Sequence, residues 1–390
     1  MIKLEELIQQ YCPDGVEWKA LGEATTMKRG TSATKGIMQE GNIPVISGGR
    51  QPAFYCNVSN RTGEVITIAG SGAGAGYVQY WNEPIFVCDA FSIQGNETLK
   101  TKYVYYVLTS IQEKIYSTKK GGGVPHVHIS SIDKFEIPVP PLPVQEEIVR
   151  ILDNFTELQA ELQAELQKRK LQYNYYLDNL LNFNRGGYQE EVRWMKMSEV
   201  FEIRNGYTPS KAKKEFWEGG TIPWFRMEDI RQNGRILSDS ILHITPKGVK
   251  GKGLFKANSF ILATTATIGE HALIIADSLA NQRFTNLSIR KSLEKELSVK
   301  FVYYYFFVID EWCKANTNVS NFASVDMSKF NNLLVPIPSI SEQNRIVSIL
   351  DRFDALTTDL SRGLPAEIET RRQQYEYYRD KLLTFKRKAA

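Results

Sequence analysis

From Gln145 to Phe183 the chain carries no Gly or Pro, and apolar residues recur at Ile148, Ile151, Leu152, Phe155, Leu158, Leu162 and Leu166. Steps of three and four put them on one face of a helix, so the pattern predicts one amphipathic helix over this stretch. At about 1.5 Å per residue it would run roughly 58 Å. Its middle, ELQAELQAELQ (157–167), repeats a four-residue unit, close to one helical turn. A Leu-rich face of that length calls for a partner helix. Elsewhere the period changes. GEVITIAGSGAGAGYV (63–78) and NSFILATTATIGEHAL (258–273) each read as an apolar run entering a small-residue turn and leaving as a second strand.

The pattern then returns. IPVPPLPVQEEIVRILDNF (137–155) matches VPIPSISEQNRIVSILDRF (335–353) at an offset of 198, and KRKLQYNYYLDNLLNF (168–183) matches TRRQQYEYYRDKLLTF (370–385) at an offset of 202. Gln145/Gln343, Ile148/Ile346, Ile151/Ile349, Leu152/Leu350, Asp153/Asp351 and Phe155/Phe353 coincide. Each copy opens with prolines, which bar helix and break central strands. In the second copy Gly363-Leu364-Pro365 should interrupt the helix, with Pro365 in the first turn of a new segment. The stretches ahead of the helices pair weakly: Val16-Glu17-Trp18 through Lys28-Arg29-Gly30 resembles Val192-Arg193-Trp194 through Arg204-Asn205-Gly206. The order is therefore globule, helix, globule, helix, an α+β chain with a pseudo-two-fold internal repeat. Its expected parts are an N-terminal segment (1–15), a first globule (16–136), a first helix (137–186), a second globule (187–334) and a second helix broken near 363–365 (335–390). Each helix copy is expected to pack antiparallel on the other.

Length and composition fit this plan. A chain of 390 residues exceeds one ordinary core, and an apolar fraction of 42% is that of a globular protein. No long apolar run and no signal-like start is visible, so a cytoplasmic, membrane-free location is expected. Cys12, Cys56, Cys88 and Cys313 are scattered without a CxxC pair, which gives no zinc pattern. The net charge of +4 is modest, but residues 192–256 hold thirteen Lys or Arg against seven Asp or Glu. Such a local excess can neutralise phosphates; chance clustering on a solvated surface is the plain alternative.

Catalytic patterns are missing. The glycines of IAGSGAGAG fall at every second residue, and the aromatic, strand-like YVQYWNEPIFV follows where a dinucleotide site needs a helix. A tight turn that brings backbone close to a ligand or another chain suits that run better. No GxxxxGK[ST] and no NPPY-type segment occurs. Pro13-Asp14 with Glu17-Trp18-Lys19 superficially resembles a nuclease set, but the gap is too short to put the acids on adjacent strands. His126-Val127-His128 lacks nearby acidic ligands at metal spacing and has Lys119 and Lys120 beside it, so DNA contact or plain surface suits it better than metal. No nucleophile, base and oxyanion donor assemble. These features suit a reader rather than a catalyst.

Two globules, each followed by a helix that contains Q-x-x-I-V-x-I-L-D-x-F and ends Q-Y-x-Y-Y-x-D-x-L-L-x-F, closely resemble the specificity subunit of type I restriction-modification systems. The resemblance covers essentially the whole chain. It implies target recognition domains that each read half of a split, asymmetric site in double-stranded DNA. It also implies helices that hold them apart and dock two methyltransferase subunits, with translocase-nuclease subunits joining later. No cofactor is expected on this chain; S-adenosylmethionine, ATP and magnesium would belong to those partners. The four-residue repeat then reads as a ruler, since one unit changes the helix by about 6 Å while turning the stripe only about 40°. A non-catalytic protein–protein adaptor with incidental basic loops is the alternative.

Major-groove edges are read best by Arg, Lys, Asn and Gln, and phosphates are held by Lys, Arg, Ser and backbone amides. The DNA-contact candidates are Lys28, Arg29, Lys35, Ser47, Arg50, Arg61, Ser71, Lys119, Lys120 and His126 in the first globule. In the second they are Arg204, Lys211, Lys213, Lys214, Arg226, Arg231, Arg235, Lys250, Lys252 and Arg283. Arg226, beside Trp224 and Phe225, is expected to be presented by a stiff aromatic strand. For helix packing or partner docking the candidates are Ile148, Ile151, Leu152, Phe155, Leu158, Leu162, Leu166, Tyr173, Tyr176, Ile346, Ile349, Leu350, Phe353, Tyr375 and Tyr378. The tyrosine clusters cannot all face one helix, so some rings should lie outward. No metal ligands are expected.

Overall fold

A computed structural model describes residues 2–33, 40–183, 192–318, 323–358 and 362–388. The chain forms two compact units, Met1–Glu165 with Pro365–Ala390, and Leu166–Leu364.

In the first unit an antiparallel sheet runs in the order Thr26–Arg29, Ala90–Gln94, Val65–Ala69, Val78–Trp81. A second sheet joins Phe54–Cys56, Ile43–Ile46 and Phe86–Val87, the last two parallel. Val65–Ala69 is buried along its whole length because both its faces are covered. Ile66 and Ile68 join the core under the helix Thr101–Ser110, whereas Val65 packs with Ile46 and Val87. Alternation to two cores explains why a continuous β-branched run is needed there.

The second unit repeats the scheme. Phe201–Asn205, Phe284–Ile289, Ser259–Ala263 and His271–Ile274 follow the same order, extended by Ile236–Leu237. His243–Ile244, Ile222–Phe225 and Leu279–Ala280 form the smaller sheet. Phe260 and Leu262 face the core under the helix Val299–Ala315, while Ile261 and Ala263 face the other one. In both units the proline-bearing segment is a strand of a two-stranded sheet, Glu17–Ala20 with Glu136–Val139 and Arg193–Lys196 with Leu334–Ile337. Two-stranded sheets tolerate a missing N–H donor, which reconciles the prolines with strand.

The repeated motif clamps helix to globule. Gln145 is fully buried; its Oε1 accepts from the Lys100 N–H at 2.9 Å, and its Nε2 donates to Thr98 O at 2.9 Å and Pro140 O at 2.7 Å. Gln343 does the same with Ser298 N–H, Glu296 O and Pro338 O, each at 2.8 Å. Asp153 accepts from Tyr106 Oη at 2.5 Å and pairs with Lys102 at 2.9 Å. Asp351 accepts from Tyr304 Oη at 2.6 Å and pairs with Lys300 at 3.1 Å. Ile148, Leu152, Ile346 and Leu350 are fully buried in the globule cores, so this part of the stripe closes a globule as well as facing a helix.

The first-copy helix is continuous from Leu142 to Leu181. The second copy is two helices, Ile340–Thr358 and Leu364–Leu382, with a turn at Arg362-Gly363 as Pro365 predicts. Within the first unit Phe155 stacks on Tyr378 at 5.5 Å and Gln159 Nε2 donates to Arg371 O at 3.2 Å, so the helices there run antiparallel. Within the second unit Phe353 packs on Tyr176 at 5.1 Å and on Tyr173 at 6.4 Å. Leu152, Phe155, Gln159, Leu162, Leu166, Arg169, Tyr173, Tyr176 and Leu180 are all buried or half-buried. Their steps alternate three and four, a coiled-coil seam. The seam therefore admits Gln159 and Arg169, where a strict four-residue reading follows leucines alone; Leu158 stays half-buried on its flank. Ile151 and Tyr375 pack against the first core from partly buried positions, and Ile349 is half-buried.

Candidate nucleic-acid interface

In each unit some of the polar candidates meet at one loop end of the sheet. In the first unit the glycine turn after Val65–Ala69 packs against the loop after Ile43–Ile46. A Cβ on Gly48 would lie 2.2 Å from Ser71 O, and one on Gly74 would lie 2.5 Å from Gly48 O. The glycines thus let two loops of the same chain touch backbone to backbone, so the close approach expected with a ligand or another chain is made within the unit itself. Ser71 and Lys120 each bridge to His126 through backbone pairing, and the His126 and His128 rings stack at 6.2 Å. Arg29, Asp89, His126, His128 and Asp133 line a cleft of about 380 Å³, and the Ser71 hydroxyl donates to Asp89 Oδ2. Arg50 lies over the Tyr77 ring at 5.0 Å and Lys119 over the Tyr116 ring at 4.1 Å. Arg29, Ser47, Arg50, Ser71, Lys119, Lys120 and His126 therefore share one neighbourhood. Lys28 is exposed on the strand before Arg29, and Lys35 lies outside the described residues.

Arg61 is committed internally. Its Nε donates to Ser92 Oγ at 2.7 Å, Nη1 to Asn60 O at 2.7 Å and Nη2 to Arg29 O at 2.9 Å. In the second unit Arg204 donates to Gly253 O at 2.8 Å and Leu254 O at 3.2 Å and lies over Phe255 at 5.0 Å. Arg235 Nη1 donates to Asp310 Oδ2 at 3.2 Å and to His271 O at 3.1 Å. His271, fully buried among Tyr303, Phe306 and Phe307, places Nδ1 2.7 Å from the same carboxylate oxygen. Burial pushes its imidazole below the ordinary value of 6.5. These three arginines brace loops, a use that sequence does not reveal because their acceptors are mostly distant carbonyls.

The basic loops of the second unit do meet. Thr245 N–H donates to Phe216 O at 2.9 Å, tying the stretch after Ser210 to the lysine–glycine stretch. Tyr207 Oη accepts from the Lys250 N–H at 2.6 Å and donates to Gly248 O at 3.2 Å. Lys211, Lys213, Lys214, Lys250 and Lys252 are exposed, with Lys214 3.6 Å from Glu218 and Lys213 over Phe216 at 5.2 Å. Arg231 is exposed on the helix Met227–Asn233. Arg226 departs from expectation: Trp224 and Phe225 are buried, the strand ends at Phe225, and Arg226 occupies the N-cap of that helix with its side chain 28% exposed and 3.9 Å from Glu228. Both rings are buried in one core, and the arginine follows them at the start of the helix rather than on the strand.

The two loop ends share one hydrogen-bond frame. Gly30 N–H donates to Ala90 O and Gly206 N–H to Phe284 O, both at 2.8 Å. Gly70 N–H donates to Asp89 O and Thr264 N–H to Arg283 O, both at 3.0 Å; Val127 N–H donates to Gly70 O and Val325 N–H to Thr264 O, both at 2.9 Å. The bridge Ser71 to His126 has its counterpart in Thr265 to Ser324. Asp89, Asn205 and Ser324 are thus rim residues that reading the sequence for basic loops misses. Only the backbone frame of the repeat reveals them. Among the described residues no group of three or more His, Cys, Asp or Glu is placed to hold a metal, and no helix is long and apolar enough to cross a membrane.

Comparison with known proteins adds a family. The type I restriction modification DNA specificity domain matches residues 13–169 and 189–370. The Escherichia coli type I restriction enzyme EcoR124I/EcoR124II specificity subunit is 35% identical over 428 aligned positions, covering 99% of this chain and 97% of that protein. The Escherichia coli EcoprrI specificity subunit is 54% identical over 203 residues, and the match spans about half of each chain (50% and 51%). A type I system S subunit structure from M. genitalium superposes with a TM-score of 0.56 at 18% identity, covering 94% of this chain and 95% of that one. A structure solved for assembly of the type I R-M system superposes at 0.61, also at 18% identity, covering 95% and 97%.

Proposed function

Since the chain belongs to the type I restriction-modification DNA specificity family, we propose that it is the DNA-reading subunit of such a complex in the cytoplasm, non-catalytic by itself. Each unit reads one half of a split, asymmetric site in duplex DNA, and the helices dock two methyltransferase subunits. Translocase-nuclease subunits join through those, and S-adenosylmethionine, ATP and magnesium act on the partners. The observation that carries this reading is the repeated frame with unlike side chains: two loop ends have the same backbone pairing but different polar groups. A split site with unlike halves needs that combination. Docking of two equivalent partners is supported by Tyr175 and Tyr377, which hold matching places in the repeat and are 63% and 62% exposed. The central helix contributes residues to both units, so its length would set the unread spacing between half-sites.

An adaptor with incidental basic loops predicts something else. We expect the chain, assembled with its methyltransferase partner, to bind duplex DNA with an affinity that falls steeply as salt rises, because each phosphate contact releases counterions. Binding measured by fluorescence anisotropy across a salt series tests this. A flat dependence, or no binding, contradicts the DNA-reading role.

A further inference from the structure

Within the shared frame Arg29 holds the place in the first unit that Asn205 holds in the second, Asp89 that of Arg283, and His126 that of Ser324. In each pair the backbone environment is the same and the chemistry is not. Arg29, Asp89, His126, Asn205 and Arg283 are exposed, and Ser324 is half-buried. The sharpest contrast is at the middle pair, where an acceptor-only carboxylate stands in one unit and a donor-only guanidinium in the other. The Ser71 hydroxyl donates to Asp89 Oδ2, which anchors one carboxylate oxygen while the side chain stays exposed at the cleft. The Arg283 backbone N–H is held by Asn281 Oδ1 at 3.0 Å, which orders the turn that carries its side chain.

We propose that these three matched positions set base specificity, with Asp89 selecting a cytosine in one half-site and Arg283 a guanine in the other. The inference rests on the DNA-reading role above. A carboxylate accepts from the cytosine 4-amino group, whereas arginine donates two hydrogen bonds to guanine O6 and N7. Phosphate contact alone does not account for Asp89, because a carboxylate repels a phosphate. Arg61 reinforces the assignment: by donating to the Arg29 carbonyl it holds the strand end that carries Arg29. It acts as a positioning residue.

The test uses the full chain with its methyltransferase partner in a host whose methylated adenines are mapped by single-molecule sequencing. Asp89→Asn keeps shape and replaces one acceptor oxygen by a donor. Arg283→Gln keeps a polar side chain and removes the bidentate fork. Each should relax or change one base in one half-site, lowering discrimination at that base about ten- to a hundred-fold. The other half-site serves as internal control and should stay as in the parent. Retention of the parental motif by both variants overturns the proposal. Where a variant methylates nothing, its complex is tested on duplexes permuted at each half-site base. A preference altered at one base supports the assignment, and equal weakening on every duplex contradicts it. A parent complex without a split motif would instead refute the underlying DNA-reading role.

Discussion

Gln145 shows how much one residue of the repeated motif holds. Its amide meets three backbone groups from two sides of the helix start, and all lose their partner on truncation. Each buried group left unpaired costs on the order of 1–3 kcal/mol, partly offset by local relaxation. Gln145→Ala should therefore destabilise the chain by about 2–4 kcal/mol in denaturant unfolding; a loss below about 0.5 kcal/mol would mean that the clamp is ornamental. His271 makes a prediction of a different kind. With its folded value depressed, the unfolded chain takes up the proton first, so its contribution to stability is present above about pH 6.5 and is lost as pH falls below that. The melting temperature should drop on acidification from pH 7, and His271→Asn, which removes the titrating ring and keeps an amide beside Asp310, should flatten that dependence. An unchanged slope in the variant assigns the acid sensitivity elsewhere. At this scale sequence reading is weakest. Arg61, Arg204 and Arg235 look like DNA-facing charges in one dimension, yet their hydrogen bonds go to carbonyls, a serine hydroxyl and Asp310 from distant strands and helices.

At the scale of elements the chain is far more legible, because helices and strands are written as local periods. The unbroken helix, its interruption before Pro365 and the paired strands about both small-residue turns follow from spacing alone. The seam is subtler. ELQAELQAELQ suggests leucines at every fourth position, but the helix pair follows alternating steps of three and four and takes in Gln159. A partner's curvature decides that choice, and the isolated repeat does not encode it. The glycine turn is similar: its composition announces a tight approach, and only the sheet order identifies Gly48 and Ser71 as the chain's own surfaces that meet there.

At the scale of the whole molecule, duplication is what makes the chain interpretable. One strand order and one hydrogen-bond frame occur twice, so any polar difference between equivalent rim positions stands out against a constant background. Arg29, Ser71 and His126 are legible singly as polar candidates, but that they share one rim with Asp89 is not, because all four are separated along the chain and converge only through strand crossovers. The central claim of the proposed function is that two unlike DNA-reading units are spaced by helix. Removing Gln159-Ala160-Glu161-Leu162 takes out one repeat unit, shortening the helix by about 6 Å and turning its seam about 40°. Methylated adenines mapped in a host carrying this deletion together with the methyltransferase partner give the most direct test. Both half-sites should stay unchanged while the spacer between them shortens; a spacer of parental length, with both half-sites still methylated, would contradict the spacing role of the helix.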